Sequence, residues 1–232
     1  MTDDELKLIL ENRLELVRER IANACHRADR DAKEITLVAV TKTVSSRVVA
    51  ILHEFGVNDF GENRPQELWK KHTSLPNANW HLIGHLQRNK TDKTIPLVSL
   101  FHSVDSERLL SSLSEFGVKS NRILPILLEV NCSREEAKGG FSPDAIPLLG
   151  DKLTSLPGIR LEGLMTMAAY HDDPQLCRPT FAELRELRDK IKTQTGLPLP
   201  FLSMGMSNDF EVAIEEGSTH VRIGTTLFEG VR

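Results

Sequence analysis

The sequence predicts an α/β fold, in which one extra helix precedes a single (β/α)8 barrel of the TIM type. Eight short apolar segments alternate with longer charged segments along the 232 residues, an alternation typical of repeated β–α units. Several of these segments are apolar at consecutive positions, like strands buried on both faces of a parallel sheet. The chain length also suits one barrel. An open doubly wound sheet is the structural alternative, but no G-x-G-x-x-G motif follows any of the eight segments.

The first 30 residues predict an amphipathic helix that packs on the barrel. Leu6, Leu10, Leu14, Val17 and Ile21 recur every three or four residues, so they share one helical face. The opposite face is rich in Glu and Arg, which we interpret as a solvated surface. The start is acidic and lacks the uninterrupted apolar stretch of a secretory signal, so we expect a cytoplasmic protein.

The charged segments between the strands, such as the one from Arg178, have the character of helices. We therefore predict one domain over residues 1–232, of which residues 1–30 form the N-terminal helix. The eight predicted strands begin at Ile35, Val57, Asn79, Leu100, Ile123, Arg160, Phe201 and Thr219.

Composition excludes several classes of function. The net charge of −4 gives no general attraction for nucleic acid, and no apolar run approaches the about 20 residues that span a bilayer. Cys25, Cys132 and Cys177 are too few and too far apart for a disulfide framework or a zinc knuckle. His81 and His85 lie on a predicted strand and lack the glutamate of H-E-x-x-H, so we expect no metal site.

Polar or small residues end nearly every predicted strand, where barrels carry functional groups. Lys42 follows the run LVAVT, and strand alternation places it on the same face as Val38 and Val40. If that face lies inside the barrel, a desolvated amine projects from the top of an apolar plug. Burial and nearby cations lower the pKa of a lysine and favour Schiff-base chemistry. A lysine that ends a strand and reaches water is the alternative.

The segment LSMGMSNDFEVAIEEG predicts a strand, a glycine turn and a helix that begins near Ser207, Asn208 or Asp209. Barrels often bind phosphate after strands seven and eight, where a helix start offers free N–H groups. Strand eight adds a second small turn at Gly224 and Thr225. An ordinary capped helix after a tight turn is the alternative.

Arg222 lies inside predicted strand eight, where a charge requires a partner. A planar guanidinium suits an anion or an aromatic nitrogen. The alternative is a buried ion pair, for instance with the strand-end acid Glu129.

Seven stretches, spaced along essentially the whole chain, carry a family resemblance: LVAVTKT, FGENRPQEL, WHLIGHLQRNK, HSVDS, GLMTMA, LSMGMSNDFEVAIEEG and HVRIGTTLF. On these stretches the chain resembles the YggS/PROSC family of pyridoxal 5′-phosphate (PLP) homeostasis proteins. The resemblance implies a barrel like the N-terminal domain of alanine racemase, with PLP bound to Lys42 as a Schiff base. It implies that Arg222 lies beside the pyridine nitrogen, with Asn63 and His85 near the ring. It also implies that the phosphate is held by Ser203, Met206, Ser207, Gly224 and Thr225.

The chain departs from the family pattern in two places. Pro65 stands in GENRPQE where many relatives have an apolar residue, and proline is tolerated in the first turn of a helix. The tail reads LFEGVR where relatives commonly end in F-G-x-R, which leaves the contacts of the last residues open.

The resemblance implies a role in intracellular PLP homeostasis, as a carrier or buffer without turnover. An arginine is always protonated, so Arg222 cannot stabilise a protonated ring nitrogen, and most PLP chemistry is weakened. The chain ends directly after strand eight, so we expect no second domain to supply another acid or base. We expect a monomer, with PLP-dependent apo-enzymes as recipients.

Three other functions stay open. The first is a slow PLP-dependent amino-acid racemase that uses His85 or Tyr170 as its second acid or base. The second is a sugar-phosphate isomerase in which Lys42 forms a Schiff base with the substrate. The third is a protein–protein module built on the N-terminal helix.

Overall fold

Eight parallel strands close into a barrel, each hydrogen-bonded to its neighbours in chain order, with β1 paired to β8. The computed structural model describes residues 2–150 and 152–231, apart from the side chain of Arg88. Within these residues the predicted closed barrel is confirmed. The strands are β1 Thr36–Val40, β2 Asp59–Glu62, β3 Asn79–Leu82, β4 Leu100–Val104, β5 Leu124–Glu129, β6 Ile159–Met165, β7 Phe201–Met206 and β8 His220–Ile223.

Helices lie between the strands and cover the outer face of the barrel, where their apolar residues join one continuous core. Single turns of 3-10 helix supplement them. No helix in the described residues is both long and apolar enough to cross a membrane. The helices are α1 Asp3–Arg27, α2 Ser46–Glu54, α3 Pro65–Ser74, α4 Thr91–Thr94, α5 Glu107–Lys119, α6 Lys152–Ser155, α7 Arg178–Thr195, α8 Phe210–Glu215 and α9 Thr225–Phe228.

The first helix begins with a capping box, in which Thr2 accepts from the Glu5 backbone and the Glu5 carboxylate accepts from the Thr2 backbone. All five residues of its predicted apolar face are buried. Arg20 then ties α1 to α8 through a bidentate bond to Glu211, while its guanidinium covers the Phe210 ring at 4.5 Å. The predicted helix and its buried face are therefore confirmed.

Pro65 is the first residue of α3, where its missing N–H would have no intrahelical partner. The expectation that this departure from the family pattern is harmless agrees with its place in the helix.

The interior of the barrel is partly polar. His81 on β3 and His220 on β8 have ring centroids 6.2 Å apart, and His102 on β4 lies within hydrogen-bond distance of Ser203 on β7. These strand pairs are not neighbours in the sheet, so their side chains meet only across the inside of the closed barrel. The run LVAVT predicted an apolar barrel interior. That prediction is wrong for the interior as a whole, because several of the side chains there are polar.

Candidate functional site

A cavity of about 680 Å³ opens at the carboxyl ends of the strands. Its wall comes from segments that end or follow β1, β2, β3, β6, β7 and β8, so residues far apart in sequence meet there. In barrels this end carries the binding groups, because the strand-to-helix loops lie there. Most of the predicted site residues line it: Lys42, Asn63, Met206, Ser207, Arg222, Gly224 and Thr225.

Lys42 lies in the turn after β1, two residues beyond the last strand residue, Val40. It is exposed, and it forms part of the cavity wall. The expectation of a desolvated amine is wrong, because the strand ends before Lys42 and the cavity above it is open to water. The amine is nevertheless on the same face as the turns that follow β7 and β8.

A buried triad holds the backbone next to this lysine. Thr41 Oγ1 donates to Glu62 Oε1 at 2.6 Å, and Lys71 Nζ donates to the Thr41 carbonyl oxygen at 2.6 Å. Lys71 also forms an ion pair with Glu62 Oε1, and all three residues are buried. Among the described residues, Glu62 Oε2 has no hydrogen-bond partner. The triad therefore fixes the end of β1 but leaves half of a buried carboxylate unsatisfied.

The last residues of β7 require a glycine. Gly205 has φ +93°, and a Cβ there would lie 2.6 Å from the Ala213 Cβ and 2.8 Å from the Phe210 Cα. Asp209 is the N-cap of α8, as predicted for this segment, and its Oδ1 accepts from the Met206 N–H at 2.6 Å. Burial raises the pKa of Asp209, whereas the bond from Met206 opposes this rise. A hydrogen bond to a buried carboxylate thus closes the turn between Met206 and Asp209.

Ser207 joins this turn to the one after β8. Its Oγ accepts from the backbone N–H groups of Gly224 and Thr226, both at 3.3 Å. Gly224 is the N-cap of α9 and Thr225 is its first residue. Two backbone N–H groups of the turn after β8 therefore converge on the position that the Ser207 hydroxyl takes.

Arg222 is buried beneath these turns, and part of it reaches the cavity. Its Nη1 donates to Ser203 Oγ at 2.6 Å and its Nη2 donates to the Thr166 carbonyl oxygen at 3.0 Å. Burial lowers the pKa of Arg222 to about 10, against the raising effects of Asp209 and Glu129. The bonds to described residues go to neutral oxygens, so the structure does not favour the direct ion pair with Glu129.

Two predicted site residues do not line the cavity. Ser203 is fully buried within β7, where it contacts Arg222 and His102. His85 has a largely exposed side chain, and its Nδ1 lies 2.9 Å from Asp105 Oδ2 at the end of β4. The Ser203 side chain contacts Arg222 and His102 inside the barrel, below the turn. The His85 side chain contacts Asp105 instead of the cavity. The structure thus places both away from the cavity wall.

Sequence reasoning missed several wall residues. Met167 and Ala168 follow β6, and residues 228–231 bring the chain's tail to the cavity. Tyr170, named above only for the racemase alternative, also lines it. The contacts of the tail were not predicted, because its sequence departs from the family pattern. Its position directly after β8 was the signal that could have placed it beside the site.

The comparisons with known proteins agree with this geometry. Residues 14–231 match the family model described as alanine racemase, N-terminal domain. A relative from Aquifex aeolicus named pyridoxal phosphate homeostasis protein is 44% identical over 218 residues, which cover 93% of this chain and 96% of the relative. The chain belongs to the pyridoxal phosphate homeostasis protein family.

Other members of this homeostasis-protein family are similarly related. The human protein of that name is 36% identical over 93% of this chain and 84% of its own length. The solved structure of PipY from Synechococcus elongatus, with PLP bound, has a TM-score of 0.80 and 31% identity, and covers 91% of this chain and 99% of that chain. A Clostridium difficile alanine racemase, at 17% identity and a TM-score of 0.74, shares the fold over 55% of its length.

Proposed function

We propose that this protein binds PLP in the cavity and serves intracellular PLP homeostasis as a carrier that does not turn over a substrate. One observation carries the proposal: Lys42, Arg222 and the Ser207 turn lie on one cavity wall. The PLP-bound structure of a homeostasis-protein relative supports the choice of ligand. Cytoplasmic localisation, a monomeric state and PLP-dependent apo-enzymes as recipients belong to the same proposal.

The donor groups of the cavity fit PLP, which needs an amine, phosphate-binding N–H groups and a partner for its ring nitrogen. Lys42 would supply the amine that holds PLP as a Schiff base, with release of one water from the cofactor's aldehyde. Lys42 is exposed, so water has access to this side chain. The bond to Lys42 is therefore open to hydrolysis, which suits a carrier that must release its cargo.

The phosphate is assigned to the joined turns after β7 and β8. The first N–H groups of a helix have no intrahelical acceptor, and here two of them point at Ser207 Oγ. Met206, Ser207, Gly224 and Thr225 would hold the phosphate, largely through backbone N–H groups. Ser203 is left out of this set because it lies below the turn, and His85 is left out because it faces Asp105.

Arg222 is assigned to the ring nitrogen, and Asn63, which also lines the cavity, is assigned to a position near the ring. A guanidinium donates only, so it accepts no proton and favours an unprotonated pyridine nitrogen. This choice weakens the electron sink that PLP catalysis uses. The chain's own residues therefore support binding without turnover.

The test is to reduce the purified, PLP-loaded protein with borohydride and map the label by peptide mass spectrometry. We expect the label on Lys42 in the native chain, none there in Lys42→Ala, and normal labelling in Lys33→Ala, which changes an exposed lysine outside the cavity. A label on another lysine instead of Lys42, or no label at all, would contradict the assignment.

The racemase alternative is tested on the same preparations. Each is incubated with single amino-acid enantiomers, and chiral chromatography follows the appearance of the other enantiomer. No conversion above the rate of free PLP is expected. Conversion by the native chain that disappears in Lys42→Ala would replace the carrier by a racemase.

A further inference from the structure

A continuous series of hydrogen-bonded side chains runs through the inside of the barrel, from the floor of the cavity to the opposite end of the barrel. Arg222 Nη1 donates to Ser203 Oγ at 2.6 Å, and Ser203 Oγ lies 2.8 Å from His102 Nδ1. His102 Nε2 lies 2.8 Å from His81 Nδ1, and His81 Nε2 lies 3.0 Å from Asp59 Oδ1. These five residues are called the inner polar chain.

The two ends of the inner polar chain lie at opposite ends of the barrel. Arg222 reaches the cavity at the carboxyl ends of the strands. Asp59 is the first residue of β2 and pairs with Asn79, the first residue of β3, so it lies at the amino ends. Asp59 is half-buried and also accepts from Asn79 Nδ2 at 3.1 Å. The inner polar chain therefore joins a buried cation to a partly solvated carboxylate.

The chemistry of its ends determines the direction of every bond. Arginine can only donate, and an ionised aspartate can only accept. With neutral imidazole rings, His81 then donates through Nε2 to Asp59, His102 donates through Nε2 to His81 Nδ1, and Ser203 donates to His102 Nδ1. This single arrangement satisfies all four bonds with both imidazole rings neutral.

The charges around the inner polar chain favour the same arrangement. Burial lowers the pKa of His102 well below its usual value, and the charge of Arg222 lowers it further. Burial opposes ionisation of Asp59, but the hydrogen bonds from His81 and Asn79 favour the ionised form, and the pKa of this carboxyl is lowered.

The other titratable or charged groups near the inner polar chain lie on β5, on β8 and at the start of α8. His220 on β8 has its ring 5.9 Å from that of His102, and burial lowers its pKa to about 3. Asp209, the N-cap of α8, and Glu129 on β5 raise the pKa of Arg222 through their negative charge. His102 thus stays neutral between two charged ends.

We propose that Ser203 and His102 are positioning residues of the PLP site, which hold the Arg222 guanidinium in one orientation toward the ring nitrogen and couple it to Asp59. This inference rests on the proposed function. It gives Ser203 a role beneath the cofactor, and it gives a role to two buried histidines that do not line the cavity.

The first test uses two substitutions of Ser203 with PLP binding as the measurement. Ser203→Ala removes one of the two described hydrogen bonds of Arg222 and should weaken PLP binding about tenfold, as loss of one bond to a charged group does. Ser203→Thr keeps the hydroxyl and should restore affinity. Ser218→Ala is the matched control, because Ser218 is equally buried and hydrogen-bonded but lies outside the inner polar chain.

The second measurement separates positioning from a general loss of structure. The absorbance of bound PLP is followed against pH in the native chain, Ser203→Ala, Ser203→Thr and Asp59→Asn. The pH midpoint should move in Ser203→Ala and in Asp59→Asn, although Asp59 does not line the cavity, and it should return in Ser203→Thr. An unchanged midpoint and affinity in Ser203→Ala would overturn the proposal.

A third measurement does not depend on PLP. Nitrogen-15 NMR of the cofactor-free protein should show His102 neutral, with its proton on Nε2. A proton on His102 Nδ1 would overturn the inner polar chain even if PLP binds normally. Failure of the native chain to take the borohydride label would instead contradict the proposed function, so the two failures are distinguishable.

Discussion

The buried pair of Glu62 and Lys71 should be essential for stability even though it lies outside the cavity wall. Lys71→Met would remove the cation but keep most of the side-chain volume. Glu62 would then keep only the Thr41 hydroxyl on Oε1, with no described partner on Oε2. Leaving one charge of a buried pair uncompensated costs about 3–5 kcal/mol. We therefore expect the free energy of unfolding to fall by about that amount.

Urea unfolding followed by circular dichroism measures this loss. Lys70→Met is the matched control, because Lys70 lies on the same helix but is exposed, and a surface change there should stay within about 0.5 kcal/mol. The double variant Lys71→Met/Glu62→Gln should recover a large part of the stability, since it removes the stranded charge as well. A loss below about 1 kcal/mol in Lys71→Met, or a double variant no more stable than the single one, would refute this reasoning.

The same pair should matter for PLP binding. Lys71 donates to the carbonyl of Thr41, which directly precedes Lys42, so the position of the amine depends on it. Lys71→Met should therefore slow borohydride labelling of Lys42 under conditions where the variant is still folded. Labelling at the native rate would show that the triad stabilises the fold without positioning the lysine.

Three further predictions concern the turn, the first helix and pH. In Gly205→Ala, the new Cβ would collide with α8, and the φ at this position disfavours side chains. The free energy of unfolding measured with urea should fall by roughly 2 kcal/mol or more, and PLP binding should weaken. Native affinity for PLP would contradict this prediction. Leu10→Ala should cost about 2–5 kcal/mol in the same assay, as a fully buried leucine does, whereas exposed Leu8→Ala should cost little. His220 has its pKa lowered to about 3, so the unfolded state binds more protons below pH 6.5. Stability should then fall by up to about 1.4 kcal/mol per pH unit from this group as the pH drops toward 3, and His220→Gln should show a shallower slope.

The exposure of Lys42 bears on what kind of PLP protein this is. An amine that is open to water forms a bond with an aldehyde that water can hydrolyse, and Lys42 is exposed in the wall of a cavity of about 680 Å³. A guanidinium at the ring nitrogen removes much of the catalytic advantage of PLP. Both features follow from the proposed binding mode, and both favour transfer of the cofactor over chemistry on it.

Local sequence patterns were enough to predict the strands, their parallel order and the buried face of α1. Burial on one or both faces is encoded in local periodicity, so the spacing of apolar residues alone assigns Leu10 and Val17 to the core. Strand ends also pointed to Lys42, Ser207 and Gly224, because the carboxyl ends of barrel strands meet at one face. That the chain acts as one domain stays a prediction.

The side chains that meet inside the barrel could not be predicted in this way. Ser203 contacts His102 across strands that are not neighbours, and Lys71 reaches Thr41 from a helix 30 residues away in sequence. Lys42 proved exposed because β1 ends two residues earlier than strand alternation assumed. Such contacts depend on where each strand ends and how the barrel closes, and these depend on the packing of the whole chain rather than on any local pattern.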